Sequence, residues 1–406
     1  MNADRMRKID RFVGIPLCCL LTLARRVIRL FKSEVTPSTP PQNILFIEMA
    51  EIGAFVVAYP ALAHARRKFP DAALYFLTFS RGPEIIRLMK GVPDDHIITI
   101  RPDNLITFVL DTFRTIRYLR QLNIDATVNL EVFARYSTIV AFLCGAARRA
   151  GFYRFHDEGG YVGDLVTHRV LYSPHIHASV SYLALVECLT ETPGREPFTK
   201  KDLSRVDLDL PKIQTSPDNQ ENIRRKIKNL YPDFSDDHRL VLLNPNAGDM
   251  VAARRWPDEH FVALAEKLLQ NPRILIVLTG APEERPKTER LAARLDSDRV
   301  LNLAGRTSLA ELIDLYNQAH LLVTNDSGPA HFASLTNVPV LVLFGPETPR
   351  IFGPLGKNVE SVYLGFACSP CVSAYNQKNS PCHDNRCLQE IAPEYIYQRA
   401  QRYLEI

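Results

Sequence analysis

From Asn43 onward, short uninterrupted apolar runs alternate with longer stretches whose apolar positions recur every three or four residues. Runs too short for a helix and apolar at every position read as strands buried on both faces; the longer stretches read as amphipathic helices. The first half gives strands at Asn43–Ile47, Ala73–Thr78, His96–Ile100 and Asp125–Leu130. Helices are expected at Phe55–Lys68, through Met89, at about Leu105–Leu122 and at Ala134–Cys144. Arg149–Phe152 starts a strand or loop, and Tyr153–Tyr172 reads as a glycine-bearing loop at the mouth of a site. A helix at about His177–Leu189 closes this half.

The second half repeats the scheme. A charged helix at Asn219–Leu230 precedes strands at His238–Asn244, Arg273–Thr279, Val300–Leu303, Leu321–Asn325 and Pro339–Phe344, with helices at Glu259–Leu269, up to Leu295 and at Ser308–Ala319. Strands alternating with helices describe parallel sheets covered on both faces, here as two doubly wound α/β domains facing one another across a cleft. The domain plan is 1–32 as a membrane-associating helix, 33–42 as a Ser/Thr/Pro linker, 43–216 and 217–388 as the two α/β domains, and 389–406 as a closing helix.

The N-terminal segment breaks this rhythm. Phe12–Ala24 is an uncharged run of 13 residues between basic flanks (Arg5, Arg7, Lys8, Arg11, then Arg25, Arg26, Arg29 and Lys32). A spanning helix needs roughly 20 apolar residues, and no small-residue cleavage site follows. The pattern is that of a helix lying in an anionic membrane interface with its basic groups at the headgroups. The alternative is a protruding helix that packs on the domain or on a partner chain.

Composition narrows the rest. The chain has 406 residues and a net charge of +4, and its 49 basic and 45 acidic residues are mixed along its length, which argues against a nucleic-acid partner. Eight cysteines are too few for a disulfide scaffold at this length. Four crowd together, however: Cys368-Ser-Pro-Cys371, then Cys382 and Cys387. CxxC followed by a second pair is a spacing that closes a tetrahedral structural zinc site; reduced thiols pinning a loop, or disulfides, are the other readings.

Candidate chemistry gathers at strand ends. Leu321–Asn325 stops at Asn325-Asp326-Ser327-Gly328, Pro329 opens a helix carrying His331, and the next strand ends at Gly345-Pro346. Turns at the carboxyl ends of adjacent parallel strands form the crevice where open α/β sheets bind ligands, and N–H groups at a helix start suit phosphate. Arg254 and Arg255 offer guanidinium forks for a diphosphate. Glu283 or Glu284, after a strand end, can accept from a ribose or sugar hydroxyl pair. In the first half, Glu48 and Glu51 follow the first strand and Glu131 follows the Asp125–Leu130 strand; each is a candidate general base. Gly53 is not part of a GxGxxG fingerprint, so a dinucleotide site is unsupported.

With these residues in view, the chain from about Asn43 onward resembles the glycosyltransferase family 9 heptosyltransferases. The resemblance is carried by Ile44–Ala63, Ala247–Pro257, Asn325-Asp-Ser-Gly-Pro-Ala-His331 and Phe344-Gly-Pro346. It implies a GT-B fold and transfer of a heptose from ADP-heptose, with inversion and without an essential metal. The implied acceptor is a lipopolysaccharide or other surface glycan, at the cytoplasmic face of a bacterial inner membrane. It implies that Asp326, Ser327, Gly328 and His331 form the loop for the donor diphosphate and sugar. Arg254 stands where the family usually has lysine, and the resemblance implies that one of Glu283 and Glu284 faces the donor ribose. Many family members share the CSPC stretch and are not thought of as zinc enzymes.

One departure matters. The family typically has Gly-Asp where this chain has Gly53-Ala54, and that aspartate is the implied catalytic base. Ala54 cannot take a proton, so Glu51 is the expected replacement, with Glu48 and Glu131 behind it. A nucleotide-sugar-binding protein without catalysis, or a GT-B sugar-nucleotide epimerase, are the alternative functions.

Overall fold

The computed structural model describes residues 3–31, 38–49, 52–80, 82–156, 158–193, 200–203, 205–248, 251–380 and 382–404. The chain divides into two compact units, Met1–Leu208 with Ala374–Gln377, and Asp209–Ser373 with Lys378–Ile406.

The first unit begins with helices α1 (Ala3–Phe12) and α2 (Gly14–Phe31). Then come β1 (Asn43–Ile47), α3 (Ile52–Lys68), β2 (Ala73–Phe79), α4 (Pro83–Leu88), β3 (Ile97–Ile100) and α5 (Leu105–Gln121). It ends with β4 (Ala126–Asn129), α6 (Arg135–Leu143), β5 (Arg148–Phe152), β6 (His168–Val170) and α7 (Ala178–Glu187). Its six strands are all parallel, in the order β3-β2-β1-β4-β5-β6. Chain order runs outward from β1 to one side and from β4 to the other, so the switch point lies between β1 and β4.

The second unit repeats the design: α8 (Pro217–Lys228), β7 (Arg239–Asn244), α9 (Asp258–Leu269), β8 (Ile274–Leu278), α10 (Arg285–Leu295), β9 (Val300–Asn302) and α11 (Leu309–Gln318). It continues through β10 (Leu321–Asn325), α12 (Gly328–Ala333), β11 (Val340–Phe344), α13 (Pro349–Phe352), β12 (Val359–Tyr363), α14 (Arg386–Gln389) and α15 (Pro393–Leu404). The parallel order β12-β11-β10-β7-β8-β9 places its switch point between β7 and β10. Every residue of β8, β10 and β11 is buried, which is why those runs show no alternation. Helices on both faces exclude water, and each fully buried Leu, Ile or Val contributes about 1.5–3 kcal/mol. The closing helix α15 buries Ile396, Ala400 and Leu404 in the same core as Trp256 and Phe261 of the second unit.

Four features differ from the sequence expectation. The loop expected over 153–172 contains the edge strand β6, and β12 was not foreseen. The N-terminal segment is two helices joined at Val13 rather than one. Gly14 allows the joint to seat on α6, since a Cβ there would lie 2.8 Å from the Cβ of Arg135. Arg25, expected at the headgroups with its basic neighbours, instead points inward and pairs with Asp164 at 3.2 Å. No helix among the described residues is long and apolar enough to cross a membrane.

Candidate functional site

In the second unit, the two loops flanking the switch point are tied together by buried amides. Asn325, the last residue of β10, accepts from the backbone N–H of Trp256 at 2.9 Å and donates to the Asn246 carbonyl at 3.2 Å. Asn244, at the end of β7, donates to Thr279 Oγ1 at 3.2 Å and accepts from the N–H of Asn246 at the same distance. Buried backbone groups at strand ends have no ladder partner, so side-chain amides supply it. Trp256 is wholly buried and its indole N–H donates to the Ile391 carbonyl. The Arg254-Arg255-Trp256-Pro257 segment is thereby fixed against β10.

That anchoring sets Arg254. Its guanidinium is buried, with Nη1 3.8 Å from Asp326 Oδ2 and 3.9 Å from Glu347 Oε1. Asp326 is held at the end of β10 by its N–H to the Leu343 carbonyl. Glu347 follows Gly345-Pro346 at the end of β11 and is 2% exposed. Two carboxylates beside one guanidinium orient the cation, which is the group needed where negative charge gathers on a leaving phosphate.

Asp326, Ser327, Gly328 and His331 follow one another after β10, with Ser327 at the N-cap of α12 and His331 buried within it. Ser327 Oγ donates back to the Asn325 carbonyl at 3.2 Å. Arg255 differs from Arg254: its guanidinium donates to the Gly248 carbonyl at 2.6 Å and supports the loop after β7. Glu283 is exposed, whereas Glu284 is half-buried and accepts from the Ala281 N–H at 2.8 Å. Burial pushes the Glu284 carboxyl above its usual range. Gly280 permits this packing, because a Cβ there would lie 2.7 Å from Asn246 Nδ2 and 3.1 Å from Glu284 Oε2.

In the first unit, Glu48 and Glu131 flank the switch point between β1 and β4, as their strand ends require. Glu48 is 4% exposed. Glu131 Oε1 accepts from the Met49 N–H at 2.7 Å, so this carboxylate braces the loop that carries Glu48. Glu51 lies outside the described residues. Ala54 sits in the first turn of α3. Beyond Glu131, Phe133 is buried with a φ of 57°, a left-handed conformation that non-glycine residues adopt at a cost. Its ring lies 6.2 Å from Tyr172 and 6.0 Å from Tyr375.

The four clustered cysteines come together in the second unit, lining one cavity of about 230 Å³. All are free thiols. Burial, then the neighbouring cysteines, push the Cys387 thiol up to about 11. Cys371 Sγ lies 3.2 Å from Ser380 Oγ, and Cys382 Sγ lies 3.0 Å from the Asp384 carbonyl. Among the described residues, no three His, Cys, Asp or Glu side chains stand close enough to hold a metal ion. The cysteine loop also clasps the arginine segment: Asn385 donates to the carbonyls of Ala253 (3.1 Å) and Arg255 (2.8 Å).

Sequence reasoning missed Glu347, the Asn244–Asn246–Asn325 brace and Phe133. Glu347 had a signal, as an acidic residue directly after Gly-Pro at a buried strand end; Phe133 had none.

Comparison with known proteins completes the assignment. Lipooligosaccharide heptosyltransferase 2 of Campylobacter jejuni subsp. jejuni serotype O:2 is 29% identical over 169 residues, 41% of this chain and 51% of that protein. The chain thus spans about half the length of that relative in the match. The same-named protein of Haemophilus ducreyi is 26% identical over 331 residues, 79% of this chain and 88% of its own. The solved structure of E. coli ADP-heptose LPS heptosyltransferase II superposes with a TM-score of 0.69 at 19% identity, covering 90% of this chain and 99% of that one, which shows the GT-B fold. The profile of glycosyltransferase family 9 (heptosyltransferase) matches residues 112–381, more than half of the sequence, and the chain belongs to that family.

Proposed function

We propose that this chain is an inverting glycosyltransferase that moves a sugar from a nucleotide-diphosphate-sugar to a lipopolysaccharide or related surface-glycan acceptor. The observation that carries the reading is Arg254, buried between Asp326 and Glu347 at the switch point of the second unit. ADP-heptose is the donor we assign, by likeness to the E. coli ADP-heptose LPS heptosyltransferase II. In this reading Arg254 neutralises the diphosphate, residues 326–331 receive the diphosphate and sugar, and Glu284 accepts from a ribose hydroxyl pair.

The reaction requires a carboxylate to take the acceptor hydroxyl proton as the oxygen attacks the anomeric carbon. The bond from that carbon to the diphosphate breaks on the opposite face, and the electron pair leaves with the diphosphate beside Arg254. Glu51 is the base we assign, with Glu48 its nearest rival; Glu131 is engaged in bracing Met49. Nucleotide release in the presence of acceptor tests the assignment. Glu51→Gln is expected to lower kcat by about 100-fold or more, and Arg254→Gln by roughly 100–1,000-fold. Undiminished turnover in Glu51→Gln overturns the base, and undiminished turnover in Arg254→Gln overturns the donor site.

Ala54 at the family's aspartate position favours one second reading, a protein that binds the nucleotide-sugar without transferring it. Saturable nucleotide-sugar binding in a thermal-shift assay, with no nucleotide release across lipopolysaccharide acceptors, is the result that selects it.

A further inference from the structure

Two helices of the first unit are built inside out. On α2 the buried residues are Gly14, Cys18, Thr22 and Arg25, one stripe of small and polar side chains, while Leu20, Leu23 and Ile28 are 57–64% exposed. On α5 the buried residues are Asp111, Thr115 and Leu119, while Ile106, Leu110 and Phe113 are 50–74% exposed. A helix on a water-soluble surface buries its apolar stripe and exposes its polar one. α2 does the reverse, and α5 buries Asp111 and Thr115 beside Leu119 while exposing larger apolar side chains, so their outward faces suit an apolar medium. Fifteen of the 21 large hydrophobic side chains exposed among the described residues lie on these two helices and the Phe12–Val13 joint, which makes the patch local rather than a general property of the surface.

Both helices pack on α6. Asp10 of α1 accepts from the backbone N–H groups of Arg135 (3.0 Å) and Tyr136 (2.8 Å) and pairs with the Arg135 guanidinium at 2.9 Å. The hydroxyl of that same Tyr136 lies 2.7 Å from Thr112 Oγ1 on α5. The first turn of α6 is therefore a strut with the α1–α2 joint on one side and the middle of α5 on the other. Thr22 and Arg25 hold α2 down through Asp164.

We propose that the outward faces of α2 and α5 form a single docking surface for an anionic lipid bilayer, with α5 a second contact beside the N-terminal helices. Charge chooses this occupant. The segment 3–31 carries seven Arg and Lys against Asp4 and Asp10; of these, Arg25 is paired inward with Asp164 and Asp10 is taken up by α6. On α5, Arg114, Arg117 and Arg120 accompany only Asp111, whose carboxylate is bound by Arg101 at 2.8 Å. A second copy docked through the same face would set these cations against their own kind, whereas anionic headgroups neutralise them. Apolar side chains between basic ones suit a helix lying in the interface, and neither helix is long and apolar enough to span.

Flotation of the full chain with vesicles tests the surface. Phosphatidylcholine–phosphatidylglycerol vesicles are expected to carry the protein, phosphatidylcholine vesicles to carry much less, and high salt to reduce the first. The pairs L20S/L23S and I106S/F113S are each expected to lower partitioning about tenfold or more. Neither pair touches the core, so the thermal midpoint should hold or rise. A direct readout uses the lone tryptophan, Trp256, which is fully buried. Phe113→Trp adds an exposed one, whose emission should blue-shift on anionic vesicles and be quenched by brominated lipid. Wild-type flotation by I106S/F113S, or an unquenched tryptophan at position 113, overturns the role of α5. A dimer that these pairs convert to monomer, with no vesicle binding, replaces the bilayer by a second copy.

Discussion

The backbone N–H of Trp256 is satisfied by the side chain of Asn325, 2.9 Å away and 69 residues on in the chain. Both residues are buried, and the bond joins the arginine segment to the last residue of β10. Asn325→Ala leaves that N–H without an acceptor, at a cost of about 1–3 kcal/mol. The expected result is a lower denaturant midpoint with an unchanged slope, together with weaker ADP binding by calorimetry, since Arg254 loses its anchor. Unchanged stability and affinity would show the brace to be dispensable.

Gly345 is a second point of close approach. A Cβ there would lie 2.6 Å from Leu388 Cγ and 3.0 Å from Cys387 Sγ. Gly345→Ala is expected to push α14 off the end of β11 and to destabilise by about 1–3 kcal/mol. Because Asn385 at the start of α14 holds the Ala253 and Arg255 carbonyls, nucleotide affinity should fall with it. Combined with Leu388→Ala, which removes the nearest obstructing atom, the loss should be smaller than the sum of the two single losses.

Acid stability follows from two groups in the first unit. His168 is driven down to about 4, first by burial and then by Arg148. An unfolded histidine takes its proton near pH 6.5. Between these values the unfolded chain binds more protons, so stability falls as pH drops from 6.5 toward 4. Burial pushes the Glu187 carboxyl up, but hydrogen bonds from Lys201, His64 and Lys68 outweigh it and hold the group at about 2. Its contribution is complete above the ordinary glutamate range, near pH 4.5, and is lost as pH falls toward 2. Urea midpoints against pH should therefore decline in two stages. His168→Gln should flatten the upper stage and Glu187→Gln the lower.

The cysteine cavity carries a metal proposal. Cys368, Cys371, Cys382 and Cys387 line one space, and a structural zinc there would draw the sulfurs in from their hydrogen bonds to Ser380 and Asp384. Elemental analysis of the purified chain should then find about one zinc, and chelation should lower the thermal midpoint. An intact, fully stable protein without zinc rejects the proposal and leaves reduced thiols packing the loop.

What the sequence made legible was set by local physics. Fully buried strands such as Ile274–Leu278 announce themselves by unbroken apolar runs, and their turns place Asp326 and His331 at a sheet edge. Arg254 was legible as a cation, but Glu347 became its partner only once β10 and β11 were paired. Glu283 and Glu284 were indistinguishable in sequence, and packing against Gly280 separated them. Apolar residues on α5 read as an ordinary amphipathic helix because periodicity gives a stripe without saying which way it faces.

Asp10 makes the N-terminal helices part of the folded first unit, which bears on how the chain can be shortened. Cys18 packs with Ile139 and Leu165, and Asp10 caps the first turn of α6 from 125 residues away. A truncation after Phe31, the obvious route to a better-behaved soluble form, would strip that cap and lay Ile139 and Leu165 open to water. It would trade one apolar surface for another. Changing individual outward side chains on α2 removes the greasy exterior and leaves the inner seam shut.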